Sequence, residues 1–413
     1  MGAKVRRRTA RLRAPVGRGE RHPRPQPLIL IANPSADVYG SDLQMLESVT
    51  ALIQAGYEVV VTTPTAGPLV DQLVARGATV EHLHYPVLRK AQASVGGILR
   101  LGWEGARSSV HLARHLRRRR PAWVYVNTVT LPWWILGARL ARVPVACHVH
   151  EAERREPLPM RLALYAPLLA AHRCLANSRA TLQTLVETVP PLGRRAHLIY
   201  NGVPGPTGDP GGAPVPSRSF RVALVARLSP RKGVDIALEA VGLVRQAGHD
   251  VRLIVCGTPF AGYEWFEEQL RRRAEAEDLR GAVTFAGYVS PVWPVLRDAH
   301  AVLATSLGES LGNAVIEAQL SGRPVIASDV CGHDETVQDG VTGLLVPASD
   351  PSALAAGIVR LMDGPELADH LAQGGRRAAQ ERFSVARYHQ EIRTLFATEG
   401  QTAEKSRRFL ALS

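Results

Sequence analysis

Residues 305–318 read TSLGESLGNAVIEA and place two glutamates, Glu309 and Glu317, eight residues apart. The four apolar residues 301–304 before this stretch predict a buried strand, and a helix is predicted from Gly312 onward. Glu309 is therefore expected in a loop at the carboxyl end of a strand, the edge where open α/β sheets bind their ligands. Free N–H groups at the helix start would offer an anion site. Taken alone, two glutamates at this spacing are more often surface charges, so the assignment depends on the rest of the chain.

Two cations follow the first predicted strand of the same half. Residues 220–225 (FRVALV) predict that strand, Arg227 comes directly after it, and Lys232-Gly233 opens the next helix. Both cations are expected at the same sheet edge as Glu309, where an arginine and a lysine could hold a diphosphate. Solvated loop charges are the alternative. Only four of the fifty cationic residues are lysines, which makes a chance lysine at this position less common.

Short apolar strands alternate with helices of about a dozen residues along the chain, which predicts parallel βαβ units. A Pro- and Gly-rich segment at 204–219 separates two such series of strands and helices, and it predicts a linker between them. The predicted fold class is α/β, with two Rossmann-like domains that face each other across a cleft. The predicted strands lie at 28–31, 58–62, 78–81, 123–127 and 144–149, and then at 220–225, 251–255, 283–285, 301–304, 324–327 and 343–346.

The second half resembles the GT-B glycosyltransferases of family 4, over about residues 220–350. Ala226 stands where the family usually has glycine, and Leu311 where it often has phenylalanine; both differences affect shape more than chemistry. The resemblance implies retaining transfer of a hexosyl unit from a nucleotide-diphosphate sugar. It rests on Arg227 with Lys232-Gly233, the pair Glu309 and Glu317, and the motifs GRPVIAS at 322–328, GHDE at 332–335 and GVTGLLV at 340–346.

The resemblance also implies a role for each matching residue. Arg227 and Lys232 would hold the donor diphosphate, and Glu317 would accept hydrogen bonds from the ribose hydroxyls. Glu309 would contact the transferred sugar at the catalytic centre, as an orienting group rather than a covalent nucleophile. On the front-face path, the leaving diphosphate helps to take the acceptor proton. Backbone groups of Leu311, Gly312 and Asn313 would line the phosphate and sugar subsite.

The first half carries weaker signals. Gly40 opens a predicted helix and resembles the family's glycine-containing loop near the donor phosphate, although a plain helix start explains it equally well. His150 ends a buried strand, shares a side with His148, and best matches the family's catalytic histidine; the alternative is a hydrogen-bonded core histidine. Two histidines followed by Glu151 could also suggest a metal site. The missing further ligands, and a family that works without metal, argue against it, so we expect no metal and no cofactor.

The domain boundaries follow from the strand pattern and the resemblance. We expect a basic disordered tail at 1–24 and an N-terminal acceptor domain at 25–203. After the linker at 204–219, a donor domain is expected at 220–385. Residues 386–413 would then form a helix that returns toward the first domain, and a tail.

The net charge of +13 is concentrated in the first half, with +8 in residues 1–24, +8 in 25–200 and −3 in 201–413. Such an excess predicts an anionic partner. The basic segment 96–120 carries apolar residues among its arginines and could lie on an anionic membrane, as could 158–171; a core helix with a solvated basic end is the alternative. No nucleic acid partner is expected, because the basic tail has no interleaved aromatic residues and no known binding module.

The expected compartment is the cytoplasm, on the inner face of the plasma membrane if the membrane hypothesis holds. The basic tail lacks the apolar core of a secretory signal, and no apolar run is long enough for a transmembrane helix. The four cysteines are scattered singly, which is typical of reduced thiols.

The sequence thus predicts a hexosyltransferase that moves a sugar from a nucleotide-diphosphate donor to a hydroxyl acceptor, expected to be a lipid-linked or cell-envelope glycan in polysaccharide biosynthesis. Another nucleotide-sugar enzyme of this fold, such as a non-hydrolysing 2-epimerase, is one alternative. A catalytically inactive partner subunit is a second, and the intact site residues argue against it. The pattern does not indicate the donor base, the sugar or the acceptor.

Overall fold

The computed structural model of this chain describes residues 26–38, 40–88, 95–152, 154, 156–208, 211, 219–260 and 262–397, and at 95–100 it describes the backbone alone. Within these ranges the strands form two parallel sheets, one in each half of the chain. The prediction of an α/β fold with two Rossmann-like domains is confirmed.

The first sheet has the strand order β3-β2-β1-β4-β5-β6-β7 within the described residues, and all its pairs are parallel. This order, with a reversal beside β1, places a crevice at the carboxyl ends of the central strands. The strands are β1 Leu28–Ala32, β2 Glu58–Thr63, β3 Thr79–His82, β4 Trp123–Val126, β5 Val145–Val149, β6 Arg173–Ala176 and β7 Ala196–Leu198. The helices are α1 Gly40–Gln54, α2 Leu69–Ala75, α3 Val95–Arg119, α4 Pro132–Ala141, α5 Leu158–Tyr165 and α6 Arg179–Thr188.

Helices cover both faces of this sheet, which explains why its central strands are apolar without alternation. In β1, Ile29 and Ile31 pack into one core with α1 and α2, whereas Leu30 and Ala32 pack into another with α3 and α4. Strands β6 and β7 were not predicted, because both are short and neither is continuously apolar: β6 begins with Arg173, and His197 stands in the middle of β7.

The second sheet repeats the arrangement, with the order β10-β9-β8-β11-β12-β13 in the described part of the chain. Its strands are β8 Phe220–Val225, β9 Val251–Cys256, β10 Val283–Gly287, β11 Ala301–Ala304, β12 Val325–Ser328 and β13 Leu344–Val346. The helices are α7 Val234–Gln246, α8 Glu264–Ala274, α9 Trp293–Asp298, α10 Asn313–Leu320, α11 His333–Thr336, α12 Pro351–Asp363, α13 Pro365–Arg382 and α14 Val385–Phe396.

Helix α14 leaves the second domain and packs on α1 of the first. Its Tyr388 hydroxyl lies 2.6 Å from Ser48 Oγ, and the Tyr57 hydroxyl donates to the Phe396 carbonyl at 2.6 Å. His389 Nε2 lies 2.9 Å from a carboxylate oxygen of Glu47. These buried polar contacts tie the end of the chain to the first sheet.

Helix α3 packs on α4 through a buried face that includes Leu112, Ala113 and Leu116. On its other side, Trp103 is 68% exposed and Val110 is 44% exposed. Among the described helices, none combines the length and the apolar character needed to cross a bilayer.

Candidate functional site

The carboxyl ends of the two sheets face each other across a cavity of about 470 Å³. Eight loops of the described chain reach it: those after β1, β5, β6 and β7 in the first domain, and those after β8, β9, β11 and β12 in the second. Of the residues singled out in the sequence, eight line this cavity: Gly40, His150, Arg227, Lys232, Glu309, Leu311, Gly312 and Asn313. Glu317 is not among its lining residues and lies one turn further along α10.

Lys232 and Glu309 form an ion pair in the cavity wall. The same Glu309 oxygen, Oε1, accepts a hydrogen bond of 2.7 Å from Ser306 Oγ, so Oε2 has no hydrogen-bond partner among the described residues. Burial by itself would raise the pKa of Glu309, but the positive charge of Lys232 and these hydrogen bonds lower it to about 2. Glu309 is therefore a carboxylate at neutral pH, with one oxygen able to accept from a ligand hydroxyl.

A glycine makes this ion pair possible. Gly233 has a φ of +61°, and a Cβ there would clash with the carbonyl oxygen of Thr305. The chain after Lys232 therefore approaches the end of β11 more closely than another residue would permit. Thr305 Oγ1 also donates to the Lys232 carbonyl at 3.0 Å, which holds the two loops together.

The carboxylate of Glu317 is half-buried and has no hydrogen-bond or ion-pair partner among the described residues. Because burial disfavours the charged form, the pKa of Glu317 is raised to about 7. An unpartnered, partly desolvated carboxylate is costly and is more often found where a ligand supplies the missing donors. Its two oxygens could accept hydrogen bonds from such a ligand.

Arg227 is held by an aromatic ring. Its guanidinium carbon lies 3.7 Å from the centroid of the Phe260 ring, a cation–π distance, and both residues line the cavity. Arg231 also lines the cavity, and its guanidinium donates to the Gly308 carbonyl at 3.2 Å. Together with Lys232, these arginines make one wall of the cavity basic.

Helix α10 begins at the domain boundary. Gly312 precedes it with a φ of +88° and lies against the ring of His333. The side-chain oxygen of Asn313 accepts a hydrogen bond of 2.8 Å from Asn201 Nδ2, and a Cβ at Gly40 would lie 3.7 Å from Asn313 Nδ2. The loop that begins α1 and the loop that begins α10 are therefore in contact across the cleft.

His150 is oriented by a chain of buried amides that ends on a carboxylate. Asp42 accepts from Asn33 Nδ2 at 2.8 Å, Asn33 Oδ1 accepts from Asn127 Nδ2 at 2.8 Å, and Asn127 Oδ1 lies 3.1 Å from His150 Nε2. Because the carboxylate only accepts, each amide orientation is fixed and His150 Nε2 must carry the proton. Burial lowers the pKa of His150 to about 3, so the neutral ring presents Nδ1 as its acceptor.

Several residues of this site gave no signal in the sequence. No role was predicted for Ser306 or Phe260, nor for His333, whose Nδ1 lies 3.0 Å from the Ser328 carbonyl. His333 stands inside the GHDE motif, so its neighbours marked the position without marking the residue. Within the described ranges, no group of three or more His, Cys, Asp or Glu side chains is arranged to hold a metal ion.

Two family models match the chain, one in each domain. The model described as Glycosyltransferase Family 4 matches residues 40–204, and the model described as Glycosyl transferases group 1 matches residues 212–378. The matches follow the order of the two sheets and together cover most of the sequence. This chain therefore belongs to the group 1 / family 4 glycosyltransferases, and its fold is GT-B.

Related glycosyltransferases are similar in sequence to this chain over part or most of its length. The putative glycosyltransferase EpsD of Bacillus subtilis is 32% identical over 189 residues, which cover 45% of this chain and 48% of EpsD. A D-inositol 3-phosphate glycosyltransferase of Salinispora tropica is 28% identical over 381 residues, which cover 84% of this chain and 78% of that enzyme. The chain thus spans about half of the first relative and more than three quarters of the second.

Solved structures share the fold at low sequence identity. The crystal structure of Anabaena HepE in complex with UDP and glucose superposes with a TM-score of 0.75 at 21% identity, and covers 90% of this chain and 99% of HepE. At this identity the likeness establishes the GT-B architecture.

Proposed function

We propose that this protein transfers a hexosyl unit from a nucleotide-diphosphate sugar to a hydroxyl acceptor with retention of anomeric configuration. The observation that carries the proposal is the cavity between the domains, where Arg227 and Lys232 face His150 across the cleft and Glu309 keeps one oxygen without a partner. Cations at this position suit a diphosphate, and a carboxylate with an open oxygen suits a sugar hydroxyl.

The donor would be held by the second domain. Arg227, positioned by the ring of Phe260, and Lys232 would bind the diphosphate, and N–H groups at the start of α10 would add hydrogen bonds to a phosphate oxygen. The carboxylate of Glu317 would accept from the two ribose hydroxyls. The family resemblance supports these roles, and no metal or other cofactor is required by them.

Transfer would proceed without a covalent intermediate on the protein. Glu309 is fixed by Lys232 and Ser306 and would orient the sugar through Oε2. As the bond between the sugar and the diphosphate breaks, the acceptor oxygen would bond to the same sugar carbon and its proton would pass to the leaving diphosphate, whose developing negative charge the cations would stabilise. His150 would accept a hydrogen bond at Nδ1 from a hydroxyl of the donor sugar or of the acceptor, because its Nε2 proton is held by Asn127.

A thermal-shift screen of UDP-, GDP-, ADP- and TDP-sugars tests the donor class. UDP-sugars come first, because the HepE structure contains UDP and glucose. The product formed with a hydroxyl acceptor should then keep the donor's anomeric configuration by NMR, and free nucleotide should appear only in step with the glycoside. A sugar epimer released without an acceptor would instead support the 2-epimerase alternative.

We also propose that the first domain rests on an anionic membrane and takes a lipid-linked or cell-envelope acceptor there, on the cytoplasmic side. Helix α3 supports this: Trp103 and Val110 are exposed on the helix whose last turn carries Arg117, Arg118 and Arg119. The test is vesicle flotation with anionic and neutral lipids. Trp103→Ser should lower binding to anionic vesicles, whereas Trp265→Ser, at a Trp that is 53% exposed in the second domain, should not. Equal non-binding to both lipids would reject the proposal.

A further inference from the structure

A carboxylate of the second domain caps a helix of the first. Glu335 lies in the short helix α11, and its two oxygens accept hydrogen bonds from the backbone N–H groups of Arg179 at 2.8 Å and of Ala180 at 2.7 Å. The hydroxyl of Tyr200 donates to the same carboxylate at 3.0 Å. We call this arrangement of Glu335, Tyr200 and the first turn of α6 the interdomain clamp.

The clamp completes the start of α6. Ser178 Oγ accepts from the N–H of Thr181 at 3.0 Å, which is the usual capping contact from within the same domain. The two preceding N–H groups, of Arg179 and Ala180, have no carbonyl partner inside the helix, and Glu335 supplies it. A carboxylate at this end is also favoured by the helix dipole. Charge-assisted hydrogen bonds of this kind are stronger than those between neutral groups.

Both sides of the clamp adjoin the site. On the second domain, His333 lies two residues before Glu335 in α11 and lines the cavity beside Gly312. On the first domain, Asn177 immediately precedes the cap of α6 and also lines the cavity. The clamp therefore joins the donor wall to the acceptor wall next to the point where the reacting groups would meet.

We infer that Glu335 is a positioning residue that holds the first-domain wall of the cavity against the donor-binding wall during transfer. The inference rests on the proposed function, because it assigns the donor to the second domain and the acceptor to the first. Arg227, Lys232 and Glu317 all belong to the second domain, so loss of the clamp leaves the donor subsite intact. Loss of the clamp would separate the donor subsite from the acceptor wall, and water could then compete with the acceptor for the donor sugar.

The test compares Glu335→Gln and Glu335→Ala with Glu366→Gln as the matched control. In Glu335→Gln, an NH₂ group replaces one acceptor oxygen and would face a backbone N–H. Glu366 is a suitable control because it is exposed in the first turn of α13 and has no partner in the described part of the chain. Both Glu335 variants should raise the acceptor KM and the ratio of donor hydrolysis to transfer by roughly tenfold. The Kd for the donor nucleotide should stay within about twofold, since no donor-binding group is touched. Tyr200→Phe removes one of the three hydrogen bonds and should give a smaller change in the same direction.

An unchanged ratio of hydrolysis to transfer would overturn the inference, and so would a donor Kd that rises together with the acceptor KM. A second measurement does not depend on activity. Hydrogen exchange at the amides of Arg179 and Ala180 should be faster in Glu335→Ala than in Glu366→Gln, while exchange in the second sheet stays the same. Equal exchange at these amides refutes the clamp even if no acceptor is known. If the wild-type protein transfers no sugar from any donor while hydrogen exchange at Arg179 and Ala180 is still faster in Glu335→Ala, that result would contradict the proposed function and not the clamp.

Discussion

Glu317→Gln should have two opposite effects: a more stable ligand-free protein and weaker nucleotide binding. The wild-type carboxylate has a pKa of about 7 in the fold against 4.5 for an ordinary glutamate, because it is desolvated without a partner. One unit of pKa corresponds to about 1.4 kcal/mol, so the shift from 4.5 to about 7 would cost about 3.5 kcal/mol if the charge were fully desolvated. Since Glu317 is only half-buried, water screens part of this cost, and about 2 kcal/mol is the working value.

The pH dependence has a definite sign. The folded-state pKa lies above the unfolded one, so the wild-type protein carries no penalty below pH 4.5, a growing penalty between pH 4.5 and 7, and the full penalty above pH 7. Glutamine is neutral throughout. The stability gained by Glu317→Gln should therefore be largest at pH 8 and close to zero at pH 4.5, as measured by urea unfolding without nucleotide.

The same substitution should weaken nucleotide binding while it stabilises the ligand-free protein. If the carboxylate accepts from the ribose, Glu317→Gln should raise the Kd for UDP by roughly tenfold to a hundredfold in calorimetry. In the wild-type protein 2′-deoxy-UDP should bind more weakly than UDP, and in the variant the two should be nearly equal. A variant that is less stable than wild type at pH 8, or that binds UDP with unchanged affinity, would refute the reasoning.

Two further variants and one pH profile test other parts of the site. Glu309→Gln should lower kcat about a hundredfold or more, because the neutral amide orients the sugar less firmly and leaves Lys232 without its ion pair; circular dichroism checks the fold, and near-wild-type turnover would contradict the role. Because burial lowers the pKa of His150 to about 3, the pH profile of kcat at saturating donor should show no step from this histidine between pH 5 and 8. A step near pH 6.5 would mean that the His150 ring is not held neutral. Phe260→Leu should raise the donor Kd about threefold to tenfold by uncovering Arg227, without moving the unfolding midpoint; an unchanged Kd would show that the ring does not position the guanidinium.

Local pattern was sufficient for the fold class and for the loops that carry Arg227, Lys232 and Glu309, but it missed β6 and β7. The apolar run at 301–304 predicted the end of a strand, and Gly312 predicted the start of a helix. Strand β11 and helix α10 lie at these positions. The carboxyl edge of a parallel sheet then brings Arg227, Lys232 and Glu309 near one another without any knowledge of contacts. The roles assigned to these residues remain predictions.

The contacts that give the site its chemistry could not be read from the pattern, because they join residues far apart in sequence. Lys232 and Glu309 are separated by 77 positions, and Asn201 and Asn313 by 112. Nothing in the local sequence of Phe260 distinguishes a ring over a guanidinium from an ordinary loop aromatic. Such pairings depend on how loops and domains dock, which is a property of the whole fold.

Charge is distributed unevenly between the two walls of the cavity, and this bears on how the two domains would share the reaction. Every cation that lines it in the described part of the chain, namely Arg227, Arg231 and Lys232, comes from the second domain. The first domain contributes a histidine that burial keeps neutral, held by amides that end on Asp42. On the proposed mechanism, the second-domain wall neutralises the diphosphate, and the acceptor hydroxyl on the first-domain wall meets groups that do not compete for that charge. Transfer needs both walls, so the contacts between the domains matter to the reaction as much as the residues that touch the substrates.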